Sequence, residues 1–261
     1  MKVFLIFCLL LLSCHSLANT KDESVTDKSK LISIAFTFSM PPYLYTDLNS
    51  GIERDIIAAA LKAGDMEMGN IHNVHYKRAI NLFQKGEIEA IVSNAGNYAY
   101  DQTGSKFYSS NKTIDYIDCS ISLARKKLNL NNIDAYSGKT IWAFKTAKQT
   151  LGPQFEKMAN SNPYYSEDVD QNKQAEMLLF ERIDIAISDR NIFAHKLKTS
   201  NNYSIKDFNF HPITQPTPRT LRLNSKQTLE RFNTGLAAIQ SNGTYEQIME
   251  KYKNEYVSKC L

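Results

Sequence analysis

Residues 31–93 read LISIAFTFSMPPYLYTDLNSGIERDIIAAALKAGDMEMGNIHNVHYKRAINLFQKGEIEAIVS and contain the pattern that decides the fold. Short apolar runs alternate in this segment with stretches whose apolar residues recur at helical spacing, and Gly64 and Gly86 end the two helical stretches. The predicted order is strand 31–36, helix 52–63, strand 73–76, helix 78–85 and strand 88–93. This alternation is typical of a largely parallel sheet with helices on both faces.

The same alternation restarts in the middle of the chain, after an extended stretch at 115–125 and a turn at 137–138. The predicted elements there are strand 139–144, helices 149–158 and 172–181, strand 183–187 and helix 190–198. Two further helices are predicted near the end of the chain, at 226–240 and 245–252. Two similar units in succession indicate two α/β lobes rather than one continuous sheet.

The N-terminus has the pattern of a secretory signal. One basic residue precedes an apolar run at 3–12, and small residues stand at Ser16 and Ala18. The run is shorter than the roughly 20 apolar residues that a membrane-spanning helix needs. We therefore expect a signal peptide over 1–18, a disordered polar leader over 19–30 and a mature protein in the periplasm.

The four cysteines divide into two groups. Cys8 lies in the predicted signal, and Cys14 lies there as well unless residues 11–14, which resemble a lipobox, place a lipid on it. Both outcomes stay open. Cys119 and Cys260 would remain in an oxidising compartment, where a pair of cysteines is more often a disulfide than a metal site. The sequence does not fix their distance, so whether they are bonded stays open as well.

The charge and the motifs argue against two large classes of function. The formal net charge is +4 at pH 7 and the basic residues are spread evenly, which does not indicate a nucleic-acid partner. The sequence has no G-x-S-x-G motif, and His72 and His75 would point to opposite faces of a strand-like stretch. We expect a monomer without catalytic activity, cofactor or metal.

Several short motifs occur in the order that a known family shows. They are Pro41-Pro42-Tyr43 after the first strand, Gly51 before the first helix, LFQKGEIEA at 82–90, LLFERID at 178–184 and the C-terminal pattern at 229–252. Over residues 31–256 the chain resembles the family 3 extracellular solute-binding proteins, which serve polar amino-acid ABC importers. The resemblance implies the type 2 periplasmic-binding-protein fold, an α/β fold with two lobes that close on a ligand.

The resemblance also implies a domain arrangement and partners. Residues 31–122 and 216–261 would form the first lobe and 123–215 the second, with two crossover strands as a hinge and a small polar solute between the lobes. The closed protein would deliver the solute to an ABC permease of the inner membrane. Two alternatives stay open: a ligand-sensing partner of a membrane receptor, and an enzyme similar to cyclohexadienyl dehydratase on the same scaffold.

Relatives that bind α-amino acids hold the carboxylate with an arginine of the first lobe and the amine with an acid of the second. By position, the resemblance places the arginine site on Asp101 and the acid site on Asp189. A carboxylate at Asp101 would repel a substrate carboxylate, so the pocket would take an amine-bearing or cationic solute. Alternatively, the loop at 97–104 is rebuilt and Asp101 faces solvent. Asp189 has an alternative role as the N-cap of the following helix.

The remaining candidate ligand-binding residues come from loops near the ends of predicted strands, where open α/β sheets place their ligands. They are Tyr43, Ser93, Asn94, Gly96, Phe144, Lys148 and Gln149. Tyr43 would either stack on a planar ligand or pack in the core. Lys148 and Gln149 lie at a helix start whose free N–H groups would accept an anionic group.

Overall fold

The computed structural model describes residues 31–37, 41–94, 106–200, 204–255 and 260, so the predicted signal and leader lie outside the described residues. In chain order the strands are β1 Leu31–Phe36, β2 Glu67–Asn73, β3 Ala90–Asn94, β4 Tyr108–Ser109, β5 Asp115–Tyr116, β6 Asp118–Leu123, β7 Ile141–Phe144, β8 Tyr165–Asp168, β9 Ile185–Asp189, β10 Phe208–Pro212 and β11 Thr217–Leu223. The α-helices are α1 Ile52–Ala63, α2 Tyr76–Gln84, α3 Ala147–Thr150, α4 Pro153–Ser161, α5 Gln174–Leu179, α6 Arg190–Ser200, α7 Lys226–Ser241 and α8 Thr244–Lys251. None of the described helices is both long and apolar enough to cross a membrane.

The strands form two separate sheets. The first sheet has the order β2-β1-β3-β11-β4, with β5 paired to β11, and the second has the order β10-β6-β9-β7-β8. Three strands of each sheet are parallel: β1 pairs in parallel with β2 and β3, and β7 pairs in parallel with β8 and β9. The strands β11 and β6 run antiparallel to their neighbours. This is the two-lobed α/β architecture that the alternation of strands and helices predicts.

The chain passes from one sheet to the other twice. Ile117 separates β5 of the first sheet from β6 of the second, and the return lies between β10 and β11. The first crossing differs from the boundary predicted after residue 122, because β6 pairs with β9 and β10 rather than with strands of the first lobe. The second predicted boundary, at 215–216, falls inside the return.

Each sheet carries its own apolar core. In the first lobe, Ile56 of α1 and Phe232 of α7 are fully buried in one cluster with residues of β1 and β11. In the second lobe, Ile187 of β9 and Phe155 of α4 belong to a cluster that also includes β7. Ile192 of α6 packs into the first-lobe cluster although its helix begins at the end of β9. The two lobes therefore share an apolar contact.

The turn before α1 requires a glycine. Gly51 has a φ of 138°, and a Cβ at this position would lie 2.3 Å from the carbonyl oxygen of Tyr43. This close approach lets the N–H groups of Ile52 and Glu53 donate to the carbonyls of Pro42 and Tyr43. The Pro-Pro-Tyr segment is thereby held against the start of α1.

Two predicted elements differ from the structure. The strand predicted at 73–76 is wrong, since β2 already ends at Asn73 and α2 follows. β2 is an edge strand with the mostly polar sequence EMGNIHN, so its pairing with β1 defines it rather than an apolar run. The helix predicted at 149–158 is divided into α3 and α4, because Gly152 has a φ of 91° and Pro153 starts a new helix.

A disulfide joins β6 to the C-terminal tail. Cys119 and Cys260 are separated by 141 residues in the sequence, and their Cα atoms lie 6.1 Å apart, within the range of disulfide bonds. Cys260 follows α8, which packs on α1 of the first lobe, whereas Cys119 lies in the second sheet. The bond therefore connects the two lobes in addition to the two crossings of the chain.

Candidate functional site

A cavity of about 460 Å³ lies between the two sheets. Its first-lobe wall includes Thr37 after β1 and Ser93 of β3, and its second-lobe wall includes Phe144 of β7 and Asp189 of β9. All four lie at the carboxyl ends of strands, where open α/β sheets bind their ligands. The cavity thus brings together three of the predicted residues: Ser93, Phe144 and Asp189.

Asp189 is buried at the end of β9, with 3% of its surface exposed. One carboxylate oxygen accepts hydrogen bonds from the backbone N–H groups of Asn191 (2.9 Å) and Ile192 (3.0 Å), which makes Asp189 the N-cap of α6. The other oxygen accepts from the N–H of Ile117 (2.7 Å) and from the hydroxyl of Tyr43 (3.0 Å). Burial raises the pKa of Asp189 from 3.8 to about 6, and these hydrogen bonds oppose the rise.

Tyr43 lies in the core, which is the second of its two predicted roles. It is fully buried outside the cavity lining, and its ring stacks on Tyr116 with the ring centroids 3.9 Å apart. Its hydroxyl donates to Asp189 and accepts from the side-chain amide of Asn191 at 2.9 Å. Tyr43 therefore connects the first lobe by hydrogen bonds to the N-terminus of α6 in the second lobe.

Asp118, which sequence reasoning missed, lines the same cavity at the start of β6 with 8% of its surface exposed. The antiparallel register of β6 and β9 places Asp118 directly opposite Asp189. Burial raises the pKa of Asp118 from 3.8 to about 8, the charge of Asp189 adds to this rise and Arg219 opposes it. The second-lobe wall thus presents two adjacent carboxyl groups.

Arg219 of β11 supplies a buried positive charge in the first-lobe wall. Its Nε donates to Oε1 of Glu53 at 3.1 Å, and both side chains are buried. The hydroxyl of Tyr116 donates to the other oxygen of Glu53 at 3.1 Å, and the guanidinium lies 4.5 Å from the centroid of the Tyr116 ring. The charge of Arg219 is therefore balanced by a carboxylate of α1.

Lys148 and Gln149 lie outside the cavity lining, so their part in ligand binding stays a prediction. The N–H groups of Thr146 and Lys148, at the start of the short helix α3, each donate to the carboxylate of Glu167 at 2.9 Å. Glu167 of β8 thus fills the position that was expected to accept an anionic ligand. The ammonium of Lys148 is directed to the side-chain oxygen of Asn160, at 3.5 Å.

The three remaining predicted residues lie at or beyond the end of β3. Asn94 ends the strand, where its backbone pairs with Arg219 of β11. Gly96 and Asp101 lie outside the described residues, so both alternatives for Asp101 stay predictions. Within the described ranges, no three His, Cys, Asp or Glu side chains are placed to hold a metal ion.

β7 also carries Trp142, two residues before Phe144. Residues at this spacing in a strand point to the same face of the sheet, although Trp142 itself does not line the cavity. Trp142 is half-buried against the second-lobe core, and its carbonyl accepts from the side-chain amide of Gln174 at 3.1 Å.

A model of the bacterial extracellular solute-binding proteins, family 3, matches residues 32–255. The chain belongs to this family. Family 3 proteins and the relatives described below are solute-binding proteins, not enzymes. This solute-binding protein is 30% identical over 116 residues to the L-cystine-binding protein TcyA of Bacillus subtilis (strain 168). That match covers 44% of this chain and 43% of the relative, less than half of either length.

Solved structures share the fold of this solute-binding protein over most of the chain. An ABC uptake transporter substrate-binding protein from Streptococcus pneumoniae with bound histidine has a TM-score of 0.66 at 16% identity, covering 88% of this chain and 96% of its own. The arginine-, lysine-, histidine-binding protein ArtJ from Geobacillus stearothermophilus has a TM-score of 0.64 at 15% identity, covering 88% of this chain and 97% of its own. The predicted type 2 periplasmic-binding-protein fold is confirmed.

Proposed function

We propose that this protein binds a small polar solute between its lobes, with amino acids and related amines as the first candidates, and passes it to an ABC importer. The observation that carries the proposal is the cavity of about 460 Å³, whose polar and charged wall residues come from both lobes. A ligand that contacts both walls is bound better by the closed form than by an open one, so binding and closure are coupled.

The charges in the cavity favour a ligand with an amine. Asp118 and Asp189 face each other in the second-lobe wall, while the guanidinium of Arg219 is already paired with Glu53. The relatives include an L-cystine-binding protein, a substrate-binding protein with bound histidine and an arginine-, lysine-, histidine-binding protein, and each of these ligands carries an amine. These two observations support the same ligand class.

Export to the periplasm and delivery to an inner-membrane permease are part of the proposal. The family is described as extracellular, and the pattern over 1–18 is that of a secretory signal. A soluble carrier that closes on its ligand presents a different surface when loaded, which a permease can recognise.

Thermal unfolding of the purified protein with a panel of compounds tests the proposal. The panel contains amino acids, polyamines, sugars and carboxylates, and each hit is titrated by calorimetry. A bound ligand at a hundredfold excess over its dissociation constant should stabilise the folded protein by about 2.7 kcal/mol. The proposal fails if no member of the panel raises the unfolding temperature at millimolar concentration.

A further inference from the structure

We infer that Asp118 binds the cationic group of the ligand, so that the site takes solutes that carry an ammonium or a guanidinium group. This inference rests on the proposed function, because it names the ligand class and the contact residue of the same cavity. It differs from the sequence prediction, in which Asp189 alone holds the amine.

The register of the second sheet places two acids on one face. Asp118 of β6 and Asp189 of β9 are direct partners across an antiparallel pair, and side chains at such positions have Cβ atoms roughly 4.5–5.5 Å apart. Like charges placed opposite each other destabilise a sheet. The two groups therefore do not readily ionise together in the free protein, and a cation between them would allow both to carry their charge.

The two acids differ in how their hydrogen-bonding capacity is used. Asp189 accepts from Ile117, Asn191, Ile192 and Tyr43, and a carboxylate offers about four acceptor positions. Asp118 is 8% exposed, and its carboxyl group has no hydrogen bond or ion pair with any described residue. Asp118 is therefore the buried carboxyl group in the cavity wall that still has acceptor capacity for a ligand.

Asp118 forms no salt bridge with a described basic residue, although the charge of the buried Arg219 acts on it. Arg219 is held by Glu53 at 3.1 Å. The other basic side chains in the lining are His75, Lys77 and Lys145, and all three residues are exposed. Charges on exposed side chains are screened by water, whereas a buried carboxylate without a partner is costly. A ligand cation would supply the missing partner through charge-assisted hydrogen bonds of about 2.7–2.9 Å.

Binding of a cation would also move a proton. Because burial raises the pKa of Asp118 to about 8 in the ligand-free protein, its carboxyl group is mostly protonated at neutral pH. When an ammonium group binds, the carboxyl O–H bond breaks, the proton goes to the buffer and the carboxylate pairs with the ammonium. Calorimetry in phosphate and in Tris at the same neutral pH measures this release, since the two buffers take up a proton with different enthalpies.

The test measures ligand affinity for three proteins: the wild type, Asp118→Asn and Asp134→Asn. The cationic probes are agmatine, L-arginine, L-lysine and putrescine. D-glucose and succinate are the probes without a cation. Asp134 is exposed in the second lobe, so its substitution changes the same charge away from the cavity. At least one cationic probe should bind, Asp118→Asn should weaken that binding by at least about thirtyfold, and Asp134→Asn should not. The buffer dependence of the heat should disappear in Asp118→Asn.

The outcomes separate this inference from the proposed function. Equal affinity of wild type and Asp118→Asn for a cationic probe would overturn the inference and leave the proposed function in place. Binding of D-glucose or succinate without binding of any cationic probe would overturn the inference as well. If none of the probes nor any other member of the thermal panel binds, the proposed function itself fails. Proton release on binding is measured on the wild type alone, so its absence counts against the inference even if the variant does not fold.

Discussion

Asp118 and Asp189 have the same side chain and opposite positions in one sheet, but their environments differ. Four donors bind the carboxylate of Asp189, two of them N–H groups in the first turn of α6, whereas the carboxyl group of Asp118 has no donor among the described residues. Burial raises the pKa of both groups, to about 6 for Asp189 and to about 8 for Asp118. The hydrogen bonds account for the direction of this difference, because they stabilise the charged form of Asp189.

These pKa values predict how the stability of the ligand-free protein depends on pH. The folded protein holds the Asp118 proton more tightly than the unfolded chain, so the free energy of unfolding is highest below pH 3.8 for this group and falls as the pH rises toward 8. Urea unfolding between pH 3.8 and 8 should show that the free energy of unfolding decreases more steeply with pH in the wild type than in Asp118→Asn. A slope that is the same in both proteins would mean that Asp118 titrates normally.

Part of the site could be predicted from single residues and their motifs. Ser93, Phe144 and Asp189 each stand at the end of a predicted strand, which is where the cavity lies. Asp118 could not be found in this way, because its position depends on the pairing of β6 with β9. The same holds for the pair of Glu53 and Arg219, which are 166 residues apart in the sequence.

The packing of α1 against α7 depends on a close approach of two helix backbones. Gly235 of α7 lies against α1, where a Cβ would come within 2.0 Å of the carbonyl oxygen of Ala60 and 2.7 Å of the nitrogen of Gly64. Both contacts involve main-chain atoms, which cannot move out of the way as a flexible side chain can. The two helices would have to separate to admit a methyl group.

Gly235→Ala should therefore destabilise the protein, although alanine favours an isolated helix by about 1 kcal/mol over glycine. Overpacking of a tight contact costs about 1–3 kcal/mol of stability. We expect a loss near the upper end of this range, because both contacts are with main-chain atoms. Urea unfolding measures the difference. Thr234→Ala, at the exposed neighbouring position of the same helix, should change stability by about 0.5 kcal/mol or less. Unchanged stability of Gly235→Ala would show that the helices are farther apart than described.

Helices were more predictable than strands in this chain. Helices α1, α2, α6 and α7 follow apolar periodicity with a glycine, serine or aspartate near an end, and they lie close to the predicted ranges. The strands β2 and β8 lie at sheet edges and carry many polar residues, so no apolar run marks them. Their formation depends on pairing with β1 and β7, which a local pattern does not contain.

Side-chain contacts and a disulfide connect the two lobes, in addition to the two crossings of the chain. Tyr43 reaches Asp189, and His195 of α6 contacts the carboxylate of Glu255 at 2.9 Å in the segment that follows α8. Glu255 also accepts a hydrogen bond from Tyr45 of the first lobe. The disulfide between β6 and Cys260 continues this connection to the end of the described chain.

Replacing both cysteines by alanine should lower the free energy of unfolding by about 2–5 kcal/mol, because the bond closes a long loop in the unfolded chain. Denaturation under oxidising and reducing conditions provides the measurement. A reductant should bring the wild type close to the double variant and leave the variant itself unchanged. Equal stability of the two oxidised proteins would mean that Cys119 and Cys260 are not bonded.

The division into two α/β lobes could be predicted from the alternation of strands and helices, but the point of crossing could not. The extended stretch at 115–125 gives no local sign that β5 pairs with the first sheet and β6 with the second. Only the partners of these strands distinguish them. Ile117, the residue between β5 and β6, also donates its N–H to Asp189, so the crossing is hydrogen-bonded to a residue of the cavity wall.

Trp142 is the chain's one tryptophan, and in β7 it precedes the cavity-lining Phe144 by two residues. The protein therefore contains a single intrinsic tryptophan fluorophore at a defined position. Its indole packs against the second-lobe core, so its emission can be recorded during a titration without a dye, a tag or an added cysteine.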